Sequence, residues 1–456
     1  MPTMQILYTI GYSLGFVLLS PVFLYKMWKR GKYRKNFFQR FGYYSPGTQR
    51  SLARSTGPRC WIQAVSVGEV NVALIFIAAL QRKFPRLRVI LTTTTSTGHA
   101  LAKERLPQEV ELVYFPQDFP WCVSRAYNLI QPDFVVLMES EIWPNHIREG
   151  LKRGLPVFLV NARMSPRSAR RYRRFAWFFR ETLSRLTLVC AQTQEDADNF
   201  RAAGAVADRV RVTGNMKYDA SLTQTDGQTG DPTQLLKRIG VSQTQPVLVA
   251  GSTHPGEEAI LFDVFGELRA SFPNLFLVLV PRHVERTPEI AELARRKQLN
   301  FVLRSEVNAD FVPPARPCDC LLVNTTGELK SLYKTATVIF VGKSLVGQGG
   351  QNIVEAAASG APVVFGPNMQ NFKAIAEQFV AEGAGVRVPD ACQLRHTLNR
   401  LLQDEPQRKT IAAAARRVIE TNVGATDRNL DLIAQALPTT IRNPSPTPKH
   451  FGAGSG

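Results

Sequence analysis

The chain has 456 residues, which is enough for two or three domains. Hydrophobic residues make up 44% of it and charged residues 20%, a composition that excludes a disordered, collagen-like or coiled-coil protein. The 56 Lys and Arg residues exceed the 37 Asp and Glu residues by 19, so we expect an anionic partner: nucleic acid, acidic lipid, or a phosphorylated or carboxylated substrate.

An apolar stretch opens the chain. Residues 1–25 carry no charged side chain, and about 20 apolar residues suffice for a helix to cross a bilayer. The basic segment 26–56 follows, and no Asp or Glu occurs before Glu69. The positive-inside rule places that segment and everything after it in the cytoplasm. The sequence therefore predicts an uncleaved transmembrane helix; a helix that lies in the membrane interface is the alternative.

Residues 57–220 are predicted to form a first α/β domain. Short, nearly continuous apolar runs alternate there with amphipathic helical patterns, which is typical of strands buried on both faces of a parallel sheet. The predicted strands are 60–66, 88–94, 111–115, 134–138, 157–161, 186–191 and 210–213.

A linker and a second α/β domain follow. Residues 221–245 are rich in Thr, Gln, Gly and Asp and are predicted to be the linker, and the tail 438–456 has the composition of a disordered segment. Two doubly wound, Rossmann-like halves are thus predicted, with a ligand-binding cleft between the carboxyl ends of their sheets. The second half covers 246–437, with predicted strands 246–250, 275–280, 301–304, 320–323, 338–341 and 362–365.

A basic and aromatic block spans residues 163–185 and holds eight arginines interleaved with five aromatic residues. At helical spacing, this arrangement places guanidinium groups beside large rings, which suits the headgroup level of an anionic membrane. Nucleic-acid binding and a solvated helix face are the alternatives.

In the first half, charged residues follow three predicted strands. Glu69 ends the first strand and opens a helix, where a carboxylate either offsets the helix dipole or acts as a general base. Glu139 and Glu141 follow another strand, and acids buried there need partners. Lys217 follows the last strand, where it either offsets the charge of a leaving group or is a surface lysine.

In the second half, several loops suit an anionic ligand. Thr253 and its neighbour Ser252 can cap a helix and offer hydroxyls to a phosphate, and Arg282 is placed as an anion-binding fork. The Gly-rich run 342–352 leads from a strand into the helix that holds Glu355. Its backbone amides are predicted to bind phosphate, and Glu355 to bind ribose hydroxyls.

Other chemistries have no motif in the sequence. There is no Gly-x-x-x-x-Gly-Lys-Ser/Thr loop and no Gly-x-Ser-x-Gly elbow, so neither a P-loop NTPase nor an α/β-hydrolase is predicted. The six histidines lack metal-ligand spacing, and Asp196 and Asp198 stand at a predicted helix start, where acids suit the dipole. No metal and no cofactor are therefore expected.

Taken in order, the motifs resemble the 3-deoxy-D-manno-octulosonic acid (Kdo) transferases over about residues 1–435. After the apolar N-terminus, the resemblance rests on Ser66-Val67-Gly68-Glu69, Glu139-x-Glu141-x-Trp143-Pro144-Asn145, Asn161-Ala162-Arg163, Gly251-Ser252-Thr253-His254-x-Gly256-Glu257-Glu258, Pro281-Arg282-His283-x-Glu285-Arg286, Gly327-Glu328-Leu329 and Gly366-Pro367 through Asn371-Phe372.

The resemblance implies a GT-B fold and an inverting, metal-independent transfer of Kdo from CMP-Kdo to the lipid A precursor, lipid IVA, of lipopolysaccharide. The first domain would bind the acceptor and the second the CMP-sugar. It implies Glu69 as general base, with Glu139 and Lys217 stabilising the transition state. The residues implied for CMP binding are Pro281, Arg282, Thr326, Gly327, Glu328, Asn352, Ile353, Val354 and Glu355.

The resemblance also implies a location and partners. The chain would be anchored in the inner membrane with its catalytic domains on the cytoplasmic side, against an anionic lipid surface and without nucleic acid. Three departures from the family pattern surround the expected nucleotide: Asn324 within a usual Gly-Asp-Thr, Lys343 within a usual Gly-Gly-Ser, and Gln351 within a usual Gly-Gly-His-Asn. The alternatives are a membrane-associated GT-B enzyme with a UDP-sugar donor and a non-catalytic, membrane-tethered binding protein.

Overall fold

The computed structural model describes residues 2–30, 36–53, 57–223, 231–308, 310–313 and 316–442. These residues form two compact units, each described by itself below. Unit 1 holds the described residues up to 220 and those from 423 onward, and unit 2 holds the described residues between 221 and 422. Within the described residues, each unit contains one seven-stranded parallel sheet covered by helices, as the apolar runs predict.

The sheet of unit 1 has the strand order β3-β2-β1-β4-β5-β6-β7. All seven predicted strands are confirmed within two residues of their predicted bounds. Alternate residues of the first strand enter apolar clusters on opposite faces of the sheet: Cys60 and Ile62 enter one, and Trp61 enters the other. The strands are β1 (Arg59–Ala64), β2 (Arg88–Thr93), β3 (Glu111–Tyr114), β4 (Phe134–Met138), β5 (Val157–Ala162), β6 (Leu188–Ala191) and β7 (Val210–Val212).

Helices cover both faces of this sheet and connect its parallel strands. They are α1 (Pro2–Arg30), α2 (Pro46–Ala53), α3 (Val67–Lys83), α4 (Ser96–Arg105), α5 (Pro120–Ile130), α6 (Pro144–Lys152), α7 (Pro166–Arg174), α8 (Ala176–Leu183), α9 (Gln194–Ala202) and α10 (Lys217–Thr223). The predicted basic block is therefore two helices, α7 and α8, which meet at Phe175.

Helix α1 confirms the predicted N-terminal helix but packs one face on unit 1. Tyr8 donates a hydrogen bond to the Asp118 carboxylate at 2.8 Å, and Tyr12 donates to Gln117 Oε1 at 2.6 Å. The outward face exposes seven large aliphatic side chains, Ile6, Leu7, Ile10, Leu14, Val17, Leu18 and Leu19.

The predicted membrane span is not supported. Among the described residues, no helix is both long and apolar enough to cross a membrane. Tyr, Thr, Ser and Gly residues interrupt the apolar sequence of α1, and several of these polar groups bond to unit 1. The basic segment 26–56 is also partly helical, because α1 continues to Arg30 and α2 lies within it; residues 31–35 and 54–56 lie outside the described residues.

Asp118 joins α1 to the start of α6. Its carboxylate is fully buried and also accepts hydrogen bonds from the backbone amides of Asn145 at 3.1 Å and His146 at 2.8 Å. These amides belong to the first turn of α6, whose N–H groups have no partner within the helix. Burial raises the pKa of Asp118 to about 7, although the three donors oppose the shift.

The sheet of unit 2 has the order β10-β11-β9-β8-β12-β13-β14. The six predicted strands are confirmed, and β14 was missed because two residues give no apolar run. The strands are β8 (Val247–Thr253), β9 (Phe276–Pro281), β10 (Phe301–Leu303), β11 (Cys320–Leu322), β12 (Val338–Val341), β13 (Val363–Phe365) and β14 (Val386–Arg387). The helices are α11 (Pro232–Arg238), α12 (Glu257–Arg269), α13 (Thr287–Arg296), α14 (Leu329–Tyr333), α15 (Ile353–Ala357), α16 (Lys373–Ala381), α17 (Ala391–Gln403) and α18 (Glu405–Asn422).

The chain returns to unit 1 after α18. Helices α19 (Ala425–Ala436) and α20 (Thr439–Arg442) follow, and α19 enters the same apolar cluster as α3. Asp219 accepts hydrogen bonds from the backbone amides of Gly424 at 2.7 Å and Thr426 at 2.6 Å. Unit 2 therefore ends at residue 422, whereas the predicted second domain spans 246–437. Helix α11 lies within the predicted linker, and α20 lies within the predicted disordered tail. Residues 224–230 and 443–456 lie outside the described residues.

A buried carboxylate fixes the Gly-rich loop of unit 2. Glu257 Oε2 accepts hydrogen bonds from the amides of His254 at 3.0 Å and Lys343 at 2.7 Å. Glu257 Oε1 accepts from the amides of Ser344 at 3.0 Å and Leu345 at 2.9 Å. This one side chain therefore ties the loop after β12 to the loop after β8.

We expect Glu257→Gln to lower the free energy of unfolding of unit 2 by about 3 kcal/mol, because a carboxamide NH₂ would face two amide donors. Urea unfolding, followed in the transition of unit 2, measures the change. Glu285→Gln is the matched control, because Glu285 is exposed in the same unit. Equal stability of both variants would contradict the assigned role.

Candidate functional site

The order of the strands in unit 1 locates its candidate site. The strand order reverses between β1 and β4, and ligands of doubly wound sheets bind at the carboxyl ends of the strands beside such a reversal. Glu69 lies on α3, which follows β1, and Glu139 directly follows β4. The two predicted acids are therefore brought to the same edge of the sheet.

Glu69 is a buried carboxyl in the first turn of α3. Its Oε2 accepts a hydrogen bond from the Val65 amide at 2.6 Å, and the Ser66 hydroxyl donates to Oε1 at 3.2 Å. Burial, followed by the negative charge of Glu139, raises the pKa of Glu69 from 4.5 to about 7, although both donors oppose the shift. The side chain therefore both stabilises the start of α3 and titrates near neutral pH.

Glu139 lies between two cations. Lys217 Nζ is 3.1 Å from its Oε1, and Arg163 Nε is 2.9 Å from its Oε2. The Glu139 side chain is 4% exposed, and its backbone has φ +53°, in the left-handed region that residues other than glycine seldom adopt. No described residue gives Glu139 Oε1 a hydrogen bond of acceptable geometry, although Lys217 lies close. Glu139 and Lys217, both predicted to stabilise the transition state, thus lie in one cluster with Arg163 as a third member, and their role in the reaction stays a prediction.

Glu141 completes the acid cluster. Its Oε2 accepts a hydrogen bond from Trp143 Nε1 at 2.6 Å. Burial, then the charge of Glu69, raises the pKa of Glu141 to about 7, and the Trp143 hydrogen bond opposes the shift. The negative charges of Glu139 and Glu69 therefore reach Glu141, which is the third acid of the cluster.

Asn161 fixes the loop that carries Lys217. It lies in β5 with φ +52°, and its Oδ1 accepts a hydrogen bond from the Met216 amide at 3.0 Å. Its backbone carbonyl accepts from Gln192 Nε2 at 2.8 Å. A buried asparagine with a left-handed backbone is therefore a positioning residue for Lys217, next in sequence after Met216.

The strand order of unit 2 reverses between β8 and β12, where a cluster of basic side chains lies. The rings of His254, after β8, and His283, after β9, have centroids 5.7 Å apart. Burial lowers the pKa of His254, as do the charges of Lys343 and His283, although the hydrogen bond to the Ser252 carbonyl and the charge of Glu257 oppose the shift. Arg282 stands next to His283 and is exposed. This edge of unit 2 can therefore hold an anion.

The other predicted nucleotide residues lie at the same edge of the sheet, with different surroundings. Pro281 is the buried last residue of β9. Thr326 and Gly327 are exposed in the loop after β11, and Gly327 has φ +87°. Glu328 is paired with Arg304, with its Oε2 2.6 Å from Arg304 Nε. Thr326 and Gly327 are therefore accessible to a ligand of this loop, whereas the Glu328 carboxylate is already paired with Arg304.

The Asn352–Glu355 segment opens α15. Asn352 Oδ1 accepts a hydrogen bond from the Val354 amide at 3.1 Å, and its Nδ2 donates to Ser221 Oγ at 3.0 Å. The Ile353 and Val354 side chains are fully buried in the core, so they are not available to a ligand. Glu355 is half-buried; burial raises the pKa of Tyr333, and the charge of Glu355 raises it further.

The backbone amides of the 342–352 loop, predicted to bind phosphate, are partly used within unit 2. The amides of Lys343, Ser344 and Leu345 donate to Glu257. Those of Gly349 and Gly350 donate to Gln370 Oε1 at 2.7 Å and to the Lys343 carbonyl at 3.1 Å. The Gly342 amide also donates, to the Gly251 carbonyl at 2.8 Å, so six amides of this loop are used within unit 2. That its other amides bind phosphate stays a prediction.

A metal ion has no evident site here. Across the described residues, no group of three or more His, Cys, Asp or Glu side chains is arranged to hold one. That the reaction needs no metal remains a prediction, because it concerns the chemistry and not only this arrangement.

Sequence analysis missed part of both sites. Arg163 was assigned to the basic block, and Asn161, His254 and His283 were given no role of their own. Backbone geometry marks some of these positions. Seven described non-glycine residues have positive φ, and four of them lie at the carboxyl ends of strands at or beside the points where the strand order reverses. These four are Glu139, Asn161, Ser252 and Lys343. In the sequence, the signal for these residues was that Asn161, Arg163, His254 and His283 all lie within motifs that carry the family resemblance.

Known proteins resemble the chain along most of its length. A family model described as 3-deoxy-D-manno-octulosonic-acid transferase (kdotransferase) matches residues 35–220, and one described as glycosyl transferases group 1 matches residues 319–418. A 3-deoxy-D-manno-octulosonic acid transferase of Bordetella pertussis is 34% identical over 438 residues, which cover 93% of this chain and 99% of the relative. The one of Haemophilus influenzae is 32% identical over 419 residues, which cover 91% and 94%.

A solved structure supports the fold. UDP-GlcNAc 2-epimerase from Neisseria meningitidis bound to UDP-GlcNAc has a TM-score of 0.56 at 17% identity, over 83% of this chain and 99% of that one. Likeness at this level of identity shows the fold alone, here two parallel-sheet α/β domains of the GT-B kind. With the two transferases that match nearly the whole chain, it confirms the resemblance carried by the motifs. The chain therefore belongs to the 3-deoxy-D-manno-octulosonic acid transferase family of glycosyltransferases.

Proposed function

We propose that the chain transfers Kdo from CMP-Kdo to the lipid A precursor of lipopolysaccharide, with inversion at the sugar carbon and without a metal ion. The observation that carries the proposal is the acid cluster of unit 1. There, the buried Glu69 has its pKa raised to about 7 beside Glu139, which lies between the cations Lys217 and Arg163.

Glu69 acts as the general base. An acceptor hydroxyl is a poor nucleophile until a base takes its proton, and a base works best when its pKa lies near the working pH. In an inverting displacement, Glu69 takes the hydroxyl proton while the oxygen bonds to the sugar carbon and the bond to the CMP phosphate breaks. The raised pKa of Glu69 suits this step at neutral pH.

Lys217 and Arg163 provide more positive charge than Glu139 balances. Two cations face one carboxylate, and the Arg163 side chain is 42% exposed. The transferred sugar is an acid, so its carboxylate can meet this surplus charge while Glu139 holds both cations in place. Glu139 thereby contributes to transition-state stabilisation through its cations.

In unit 2, the phosphate that leaves with CMP acquires charge as the sugar bond breaks. Arg282 and Lys343 are the cations of this edge that can stabilise this charge, and the rings of His254 and His283 lie beside them. Lys343, one of the departures from the family pattern, adds a cation to that edge. Mass analysis of the lipid A precursor after incubation with the purified chain and CMP-Kdo tests the transfer. If the precursor is modified with a UDP-sugar and not with CMP-Kdo, the proposed donor is wrong.

The outward face of α1 and the arginines of α7 and α8 support a membrane location. We propose that α1 lies in the interface of the inner membrane, on its cytoplasmic side, with its exposed aliphatic residues in lipid. A contiguous exposed apolar surface, here made of seven large aliphatic side chains, marks an interaction site in a folded protein. The exposed α7 residues Arg170, Arg171, Arg173 and Arg174 suit the anionic surface.

Replacement of Glu69 by Gln should lower kcat by a factor of about 10² to 10⁴, because the hydroxyl would lose its proton acceptor. Steady-state kinetics with CMP-Kdo measures the loss, and CMP binding should stay unchanged. Glu195→Gln is the matched control, because Glu195 is an exposed acid in the first turn of α9. Turnover of the Glu69 variant near that of the control would exclude the base.

The pH profile should follow the ionisation of Glu69. The carboxyl is protonated, and so inactive as a base, below its raised pKa; kcat/KM should therefore rise with pH through a midpoint near 7. Glu139→Gln removes a nearby negative charge and leaves Lys217 and Arg163 unbalanced, so the pKa of Glu69 should fall and the midpoint should move to lower pH by about one unit.

The midpoint, and not the rate, is the readout for Glu139→Gln, since the rate falls for other reasons too. Asp198→Gln removes one exposed negative charge elsewhere in unit 1 and serves as the control. If the midpoint does not move in the Glu139 variant, the charge of Glu139 does not influence the pKa of the general base.

Leu14→Glu and Leu18→Glu should each weaken binding to vesicles of anionic phospholipid about tenfold, because a buried leucine contributes about 1.5–3 kcal/mol and a partly inserted one somewhat less. Both side chains are at least 60% exposed, so the fold should tolerate the change. Vesicle sedimentation measures the binding. Val312→Glu, at an exposed valine of unit 2, is the control; equal binding of all three variants would refute the interfacial helix.

A further inference from the structure

The loop that follows β11 in unit 2, residues 323–328, has a short 3₁₀ helix as its neighbour. Strand β10 pairs with β11, and β11 pairs with β9, all in parallel, so the segments that follow these strands lie side by side at the carboxyl edge of the sheet. The 3₁₀ helix Arg304–Glu306 follows β10 directly, and Arg282 follows β9. The 323–328 loop is therefore flanked by the 3₁₀ helix on one side and by the segment with Arg282 on the other.

Two residues of the 3₁₀ helix hold both ends of this loop. At one end, the Ser305 amide donates a hydrogen bond to Asn324 Oδ1 at 2.9 Å, and Asn324 Nδ2 donates to Ser305 Oγ at 2.7 Å. At the other end, Arg304 Nε donates to Glu328 Oε2 at 2.6 Å. The Arg304 guanidinium is itself held, because its Nη1 donates to the Val307 carbonyl at 3.1 Å. The loop is thus fixed on both sides of residues 325–327.

The residues between the two fixed ends are open to a ligand. Thr326 and Gly327 are exposed, and a Cβ atom added at Gly327 would meet no atom within 4 Å. No described residue donates a hydrogen bond to Glu328 Oε1, so this oxygen keeps its acceptor capacity while Oε2 is held by Arg304. A carboxylate oxygen of this kind can accept hydrogen bonds from the ribose hydroxyls of a nucleotide.

We infer that Arg304 and Ser305 are positioning residues that hold the 323–328 loop in the shape that receives the donor nucleotide. Ser305 acts through Asn324. Arg304 acts through Glu328, whose free oxygen it directs towards the ligand. The side chains of Arg304 and Glu328 are only 23% and 14% exposed, so solvent screens this pair less than a surface pair. The inference rests on the proposed function, because it takes the ligand of this loop to be the nucleotide of CMP-Kdo.

Arg304→Gln should raise the Kd of CMP, measured by calorimetry on the full chain, and the KM for CMP-Kdo about tenfold each, equivalent to about 1.4 kcal/mol. The kcat should stay unchanged, because the loop binds the nucleotide equally well before and during the reaction. Arg304→Lys keeps a charged donor and should recover part of the affinity. Asn324→Ala, which removes both hydrogen bonds to Ser305, should also weaken CMP binding; CMP affinity equal to that of the unaltered chain would remove Ser305 from the inference.

Two comparisons separate positioning from a mere loss of positive charge. Arg296→Gln is the matched control, because Arg296 forms a surface pair with Glu292 in the same unit, with side chains 74% and 52% exposed. Equal effects of Arg296→Gln and Arg304→Gln would overturn the inference. In a Glu328→Ala background, Arg304→Gln should change the Kd of CMP no further, because Arg304 acts through that carboxylate. A further loss by the same factor would mean that Arg304 attracts the nucleotide by charge alone, and would overturn the inference as well.

A measurement without nucleotide tests the loop directly. Glutamyl endopeptidase cleaves after glutamate where the chain is accessible and loosely held. Cleavage between Glu328 and Leu329, followed by mass spectrometry of the first fragments, should be several-fold faster in Arg304→Gln and Asn324→Ala than in the unaltered chain. Unchanged cleavage in both variants would overturn the inference. If the chain binds no CMP, the proposed donor is wrong, and proteolysis still decides whether Arg304 holds the loop, so the two failures are distinguishable.

Discussion

The burial of Glu139 is the constraint around which the site of unit 1 is arranged. A buried carboxylate is unfavourable unless cations and donors surround it, and the cations must come from neighbouring strand ends. Arg163 follows β5 and Lys217 follows β7, so one charge ties together the carboxyl ends of three strands. The left-handed backbone of Glu139 is tolerated because these contacts over-determine its position. Burial, and then the same negative charge, raise the pKa of Glu69, so the arrangement of the strand ends and the proposed base both depend on Glu139.

Unit 2 uses a buried acid in the opposite way. Each carboxylate oxygen of Glu257 accepts two backbone hydrogen bonds, and the four donor–acceptor distances lie between 2.7 and 3.0 Å. Such a carboxylate is fully satisfied and has no acceptor capacity left for a ligand. In the acid cluster, by contrast, Glu139 Oε1 receives no well-formed hydrogen bond from the described residues. The two buried acids therefore differ in whether their acceptor capacity is fully used within the fold.

The sequence predicts what depends on local pattern. Apolar runs identify thirteen of the fourteen strands in the described residues, and acids that follow such runs mark Glu69 and Glu139. The sequence does not predict contacts that depend on the order of strands in the sheet. Glu139 contacts Lys217 because the chain forms β5, β6 and β7 after β4, and all of these strands end at the same edge of the sheet. The return of α19 to unit 1 was missed for the same reason, since no change of composition marks residue 423.

Helix α1 shows how an apolar stretch can serve two surfaces. Its polar and aromatic residues face the protein and its aliphatic residues face outward, the reverse of a helix on a soluble domain. The inward face bonds to Asp118, Asp118 holds the first turn of α6, and Trp143, which precedes α6, donates to Glu141. Hydrogen bonds on both sides of the Trp143–Asn145 backbone therefore link α1 to the acid cluster. Because each of these bonds is buried or partly buried, α1 is an integral part of unit 1 and not a detachable tether.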